Sequence, residues 1–200
     1  MYATKLLPID TPQRLELAAR WFADPSNYQW FDFGGGRQII SMPALQMMLQ
    51  RPTNYIRLHT DEIGRPIGIA ALTDVNRQLR TGTFWGITGE KSFRSRGYAT
   101  LSGSLLLSVA FGDLGLNAVN TWLVDTNPSR KVLERLNFRY VGRMRQCHML
   151  GGEMHDRLFY DILASEHREL KPEDVQRFTG RRERERGNEA PLTDQVRQAQ

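Results

Sequence analysis

Residues 91–100 read KSFRSRGYAT, with three cations, three serine or threonine hydroxyls and one glycine, and they run into the apolar stretch LSGSLLLSVAF at 101–111. The ten residues fit a solvated surface loop in which Arg94 and Arg96 are surface cations and Gly97 is a turn residue. They equally fit a loop feeding a helix start. There, unpaired amides and the helix dipole receive an anion, a glycine lets it approach the backbone, and arginines add ionic contacts. The local pattern does not decide between the two. An Arg or Gln, a Gly three places on and a Gly or Ala two further on arise by chance in about one chain in five of this length, given average residue usage. The flanking sequence has to decide.

Immediately upstream, LRTGTFWGIT (79–88) is rich in β-branched and aromatic residues and reads as a strand. Before it, NYIRLHT (54–60) alternates, DEIGR (61–65) is a turn, and PIGIAAL (66–72) is a buried-strand run. Downstream, 99–111 has helical periodicity, with Leu101, Leu105 and Val109 on one face and Leu106 beside it. A strand follows in NAVNTWLVD (117–125) and a short helix in SRKVLERL (129–136). FRYVGRMRQCHML, Gly151-Gly152 and MHDRLFYDIL then form a closing hairpin. Nearer the N-terminus, Thr11-Pro12 and Ser41 open two helices that end at Asp24-Pro25 and Pro52. Between them lies NYQWFDFGGG (27–36), an aromatic cluster running into three glycines. The element order is mixed α/β rather than a regular alternation.

The 200 residues suit one domain with an appendage, and 40% hydrophobic residues suffice for a core. A formal charge of +5 suits an anionic ligand, but no compact basic patch with interleaved aromatics points to nucleic acid. The single cysteine, Cys147, excludes an intrachain disulfide and a cysteine-rich metal site, which fits a reducing compartment. No signal-length or membrane-length apolar run is present, so the expectation is a soluble cytoplasmic protein that uses no metal and contacts no membrane. The expected domain covers 1–165, divided into a helical acceptor-side segment (1–53) and a core with its hairpin (54–163). Residues 166–200 are expected to form a charged, mobile tail.

Two blocks taken together, FRSRGYAT and VDTNPSRKVLERLNFRYVGRMRQ (124–146), one helix and one strand apart, resemble the GNAT superfamily of acetyl-CoA-dependent N-acetyltransferases. Arg94, Gly97 and Ala99 fill the Q/R-x-x-G-x-G/A positions of its pyrophosphate loop. The closing hairpin is most similar to the branch that includes ribosomal-protein N-terminal acetyltransferases. The resemblance is good over about 54–163 and extends to 1–53 only in element order. It implies a central, mostly antiparallel mixed sheet, flanked by helices, that splays open between two parallel strands to admit the pantetheine arm. Backbone groups of Ile87, Thr88 and Gly89 would then pair with pantetheine, and the amides of Arg94, Ser95, Arg96, Gly97, Tyr98, Ala99 and Thr100 would take the pyrophosphate. Asn127 would bond the pantetheine or fix the turn beneath it, and Arg130 would reach the nucleotide end.

The resemblance further implies direct attack of an amine on the thioester, with a strand amide near Ile87 as oxyanion donor. Where many relatives place a tyrosine as general acid, this chain has Leu133. Ser129 matches the serine proposed for that role in the nearest branch, although its spacing from Asn127 is one residue shorter than usual. Ser129 equally suits a plain helix cap. The strand carboxylate that often serves as base is absent, with Thr83 or Phe84 in its place. Asp74 and Glu90, then Asp125 and His148, are the substitutes, each otherwise a turn or surface residue. A site without a strong base favours an α-amine, whose pKa lies near 8, over a lysine near 10.4. Trp30, Phe31 and Phe33 are candidates for the acceptor wall, alternatively core, and Asp32 for holding an ammonium group. The acceptor is expected to be a small-molecule amine or a peptide N-terminus. Dimers are common among proteins of this kind, and the sequence leaves the assembly open. A non-catalytic acetyl-CoA-binding module is the alternative.

Overall fold

The computed structural model describes residues 4–177. Seven strands form one sheet in the order β1-β2-β3-β4-β5-β7-β6: β1 (Leu6–Leu7), β2 (Tyr55–Thr60), β3 (Pro66–Asn76), β4 (Thr81–Thr88), β5 (Ala118–Val124), β6 (Arg139–Leu150) and β7 (Glu153–Leu163). All neighbours are antiparallel except β4 and β5. Side chains alternate across the pleat, so strands β1 to β4 feed two cores, one on each face. Ile69 and Ala71 of β3 face a core shared with α1 (Pro12–Ala23) and α3 (Met42–Gln50), which contribute Ala18, Phe22 and Leu45. Ala70 and Leu72 face the other core, which holds Leu106 and Leu107 of α4 (Tyr98–Ser108) and Leu133 of α5 (Arg130–Arg135).

The helix starts follow from their caps. Thr11 Oγ1 accepts the Arg14 amide at 3.3 Å, Ser41 Oγ accepts that of Ala44 at 3.4 Å, and each helix has proline in its first turn. Two short elements, β1 and α2 (Pro25–Tyr28), are too brief to leave a periodic signal. In α4 the expected Leu101–Leu105–Val109 stripe is not the core face. Leu106, Leu107 and Ala110 lie deepest, and the helix ends in a π turn at Val109–Asp113. The reason is that α4 is covered on both sides, so a one-sided stripe does not describe it. Its outer cover comes from residues assigned to the tail. His167 meets Ser108 Oγ at 2.9 Å, the Leu170 amide donates to Ser104 Oγ at 2.7 Å, and Val175, on a helical turn at 172–177, is buried. These residues thus pack with α4, and the rest of the expected tail, from 178 on, lies outside the described residues.

Among the described residues no helix is long and apolar enough to cross a membrane, and no group of three or more His, Cys, Asp or Glu side chains is arranged to hold a metal.

Candidate active site

Parallel pairing of β4 with β5 lasts for three residue pairs, Thr81–Ala118 to Thr83–Asn120, and then stops. Beyond it the strands part, and a cavity of about 390 Å³ opens between Phe84–Thr88 on one strand and Thr121–Leu123 on the other. A strand that loses its neighbour leaves main-chain donors and acceptors without a ladder partner, and an extended ligand with its own amides can replace that neighbour. The loop before α4 lines it through Phe93, Arg94, Ser95 and Gly97, and the start of α4 through Ala99 and Thr100. Asn127, Pro128, Ser129 and α5 line it as well. The segment 26–31 forms its lip.

The loop has the backbone of an anion cradle. Ser95 (φ 64°) and Gly97 (φ 91°) are both left-handed, and Gly97 caps α4 without a side-chain hydrogen bond. Left-handed turns of this kind gather successive N–H groups into a concave nest, and the helix dipole adds to it. Among the described residues, the amides of Ser95, Arg96, Gly97 and Ala99 meet no backbone carbonyl. Thr100 Oγ1, on the cavity wall, is buried without a partner. Unsatisfied buried polar atoms and main-chain donors around one opening are what a bound diphosphate would complete.

Of the cofactor residues expected from the sequence, Ile87, Thr88, Arg94, Ser95, Gly97, Ala99, Thr100 and Asn127 line the cavity. Four do not. Gly89 lies under Trp21, where a Cβ would come within 2.1 Å of the indole, so its glycine serves packing. Tyr98 is buried with its hydroxyl on Glu62. Arg96 is exposed beside the Phe93 ring. Arg130 pairs along α5 with Glu134 at 3.1 Å, and the α5 cations on the wall are instead Lys131 and Arg135, which periodicity alone did not single out. Arg94 is also not a free cation. Its guanidinium donates to Asn27 Oδ1 at 2.8 Å and Ser26 Oγ at 3.0 Å, tying α2 to the loop. Lys91 reinforces that joint through Asp24 at 2.9 Å.

Ser129 lines the cavity, and its hydroxyl makes no cap hydrogen bond. Its amide is instead held by Asn127 Oδ1 at 2.8 Å, so Asn127 fixes the turn and leaves the Ser129 hydroxyl free of structural duty. The substitute bases are all elsewhere. Asp74 sits in the β3 bulge at φ 52°, at the paired end of the sheet. Glu90 accepts the Trp21 indole N–H at 3.1 Å. Asp125 accepts from His155 Nδ1 at 3.0 Å. His148 is buried, with Nε2 donating to the Gln29 carbonyl at 2.8 Å.

On the acceptor side, Trp30 and Phe31 line the cavity with Trp85 and Trp122, while Phe33 stacks on Phe31 in the core behind. Asp32 does not face an ammonium. Its carboxylate takes Arg157 at 2.8 Å and the Gly34 and Gly36 amides at 2.8 and 3.0 Å. Burial alone would raise its pKa, but the Arg157 guanidinium and the Gly34 amide bring it below the ordinary carboxylate range. Gly34, Gly35 and Gly36 all have positive φ, which lets the chain fold back around that carboxylate. Arg157 in turn lies over the Trp122 ring at 4.1 Å and donates to His148 Nδ1 at 3.2 Å. The lip and the Asp32 that follows it are therefore tied to the hairpin by contacts 119 and 125 residues apart in sequence.

A mixed sheet splayed between two parallel strands, above a left-handed loop and helix start, is the architecture of the GNAT acetyltransferases, and this chain has that fold. Spermidine N-acetyltransferase from Vibrio cholerae, solved with CoA and spermine, superposes with a TM-score of 0.71 at 17% identity, over 82% of this chain and 96% of that one. Mycobacterium smegmatis RimJ, solved with CoA-disulfide, gives 0.69 at 19% identity, over 89% and 88%. In sequence, "Putative ribosomal N-acetyltransferase YdaF" of Bacillus subtilis (strain 168) is 33% identical over 101 residues. That match spans 50% of this chain and 53% of the relative, about half of each. No family model matches the chain.

Proposed function

We propose that the chain is an acetyl-CoA-dependent N-acetyltransferase that moves the acetyl group directly from the thioester to a primary amine. The observation that carries this reading is the opening between β4 and β5, which joins unpaired strand backbone to an anion-receptive loop. The strand edge would pair with the pantetheine amides, and the loop amides would hold the pyrophosphate. In the transfer the amine nitrogen bonds to the acyl carbon, the carbon–sulfur bond breaks, the nitrogen gives up a proton to solvent, and the thiolate takes one from a hydroxyl that solvent reprotonates. Ser129, on the wall with an uncommitted hydroxyl, is the proposed donor of that proton.

The acceptor proposed is a single amine on an uncharged or aromatic body, of which a peptide N-terminus is the leading case. Among the described residues lining the cavity there is no Asp, Glu or His, and the walls near the lip are Trp30, Phe31, Trp85 and Trp122. A polyamine keeps further ammonium groups that would find no carboxylate there, and an unpaired buried charge is costly. An α-amine, by contrast, is neutral at pH 7 roughly a few hundredfold more often than a lysine, so it needs less of a base. The same lack of a base also supports a second reading, a non-catalytic acetyl-CoA-binding module.

Thiol release from acetyl-CoA, measured over dipeptides, amino acids, polyamines and aminoglycosides, separates these readings. The expected result is turnover with dipeptide amines, slower turnover with spermidine, and none with N-acetylated dipeptides. Tight acetyl-CoA binding without turnover on any amine would favour the module.

A further inference from the structure

Beneath the opening lies a buried histidine that the chemistry above does not use. His59 on β2 is 1% exposed, and its Nε2 lies 3.3 Å from the carbonyl oxygen of Ile87 on β4. A carbonyl only accepts, so Nε2 carries the proton. Nδ1 is buried with no partner, which fits a neutral ring, and burial pushes the imidazole down to about 4.

His59 reaches Ile87 across the intervening strand β3 at Gly68, its register partner. A Cβ on Gly68 would sit 2.1 Å from the Ile87 oxygen and 2.2 Å from His59 Nε2, so glycine is what opens the path.

The Ile87 carbonyl therefore points toward β3. In a planar trans peptide the following N–H points the opposite way, so the Thr88 N–H faces the side where β5 has left the sheet. The Thr88 carbonyl agrees with this direction, since Arg94 on the cavity wall reaches it with Nε at 3.4 Å. The donor available to the cavity from this peptide is thus the amide of Thr88, one residue beyond the Ile87 amide expected from the sequence.

We propose that His59 is a positioning residue for acetyl transfer: by donating to the Ile87 carbonyl it fixes the Ile87–Thr88 peptide so that the Thr88 N–H meets the acyl oxygen as negative charge develops on it. The proposal rests on the acetyltransferase reading. Two physical effects act together. The hydrogen bond sets the plane of the peptide before reaction, which is the preorganisation that makes oxyanion donors effective. It also polarises the peptide, which strengthens the N–H on its far side as a donor. His59 touches neither substrate, so its influence runs entirely through that peptide.

The test compares two amides that differ in reach. His59→Gln keeps a donor long enough to approach the Ile87 oxygen, and His59→Asn is one methylene too short. With acetyl-CoA and the fastest dipeptide of the amine panel, kcat of His59→Gln is expected within about threefold of the unsubstituted protein, and that of His59→Asn at least about tenfold lower. The acetyl-CoA dissociation constant is expected to stay within about threefold in both. Equal kcat for the two variants, or a dissociation constant that moves in step with kcat, would overturn the proposal. Absence of turnover in the unsubstituted protein on any amine would instead remove the acetyltransferase reading on which it rests.

Discussion

On one side of the opening the loop 93–100 offers main-chain groups. Ser95 and Gly97 turn left-handed and gather amides around the start of α4. On the other side, residues 26–31 offer rings, and those rings stand where they do because distant residues hold them. Arg157 grips Asp32, the Gln29 carbonyl accepts from His148, and Arg94 grips Asn27. A wall of backbone is set by local conformation, whereas a wall of side chains is set by the whole fold. The first suits a ligand part common to every turnover, the second a part that varies between acceptors.

Acid separates the two sides most strongly. His59, beneath the backbone side, is neutral in the fold with a pKa lowered from 6.5 to about 4. Its contribution is complete above pH 6.5 and is lost as pH falls toward 4, because the unfolded chain binds the proton that the fold refuses. The loss amounts to about 3 kcal/mol. Asp32, whose folded pKa is lowered, contributes above the ordinary value of 3.8, and its contribution goes only at lower pH. Urea unfolding at a series of pH values should therefore show a fall in stability below pH 6.5 that His59→Gln reduces to the smaller share of His167, which burial also holds below 6.5, and that Asp32→Asn leaves in place.

The next effect isolates the side-chain wall. Asp32→Asn leaves Arg157 with a weakened partner in a half-buried site and should cost about 2 kcal/mol in urea unfolding. It should raise the acceptor KM while leaving the acetyl-CoA dissociation constant unchanged. Equal changes in both would mean that the two walls are not independent. Ser129→Ala should have the smallest effect, lowering kcat about tenfold, or about 1.4 kcal/mol, while shifting stability by less than about 0.5 kcal/mol. A loss of stability comparable to the loss of kcat would return Ser129 to a capping role.

The contrast between the walls also explains what the sequence revealed. The strands, the hairpin and α4 were legible because alternation, Gly151-Gly152 and the apolar run are local signals. Gly97 and Asn127 were legible because a left-handed cap and an Asx turn leave a residue type at a fixed place. Asp32 was not. Nothing near it in sequence announces Arg157, and an acidic residue among aromatics looks the same whether it awaits a ligand or already holds a guanidinium. Arg130 and Lys131 are adjacent, and only the rotation of α5 decides which faces the cavity. The partner of Glu90 is hidden for the same reason, Trp21 being 69 residues away. His59 left no signal because its role depends on Gly68 and Ile87 on two other strands.

The central claim is that the opening between β4 and β5 holds acetyl-CoA through the loop at Gly97. Calorimetric titration of acetyl-CoA into the unsubstituted protein and into Gly97→Val tests it most directly. A β-branched residue is strained at φ 91° and would disturb the amide nest. Saturable one-to-one binding that weakens about a hundredfold in the variant, with an unchanged circular dichroism spectrum, is the predicted result, equivalent to about 2.7 kcal/mol. Equal affinity in the two proteins, or no binding to either, would contradict the account.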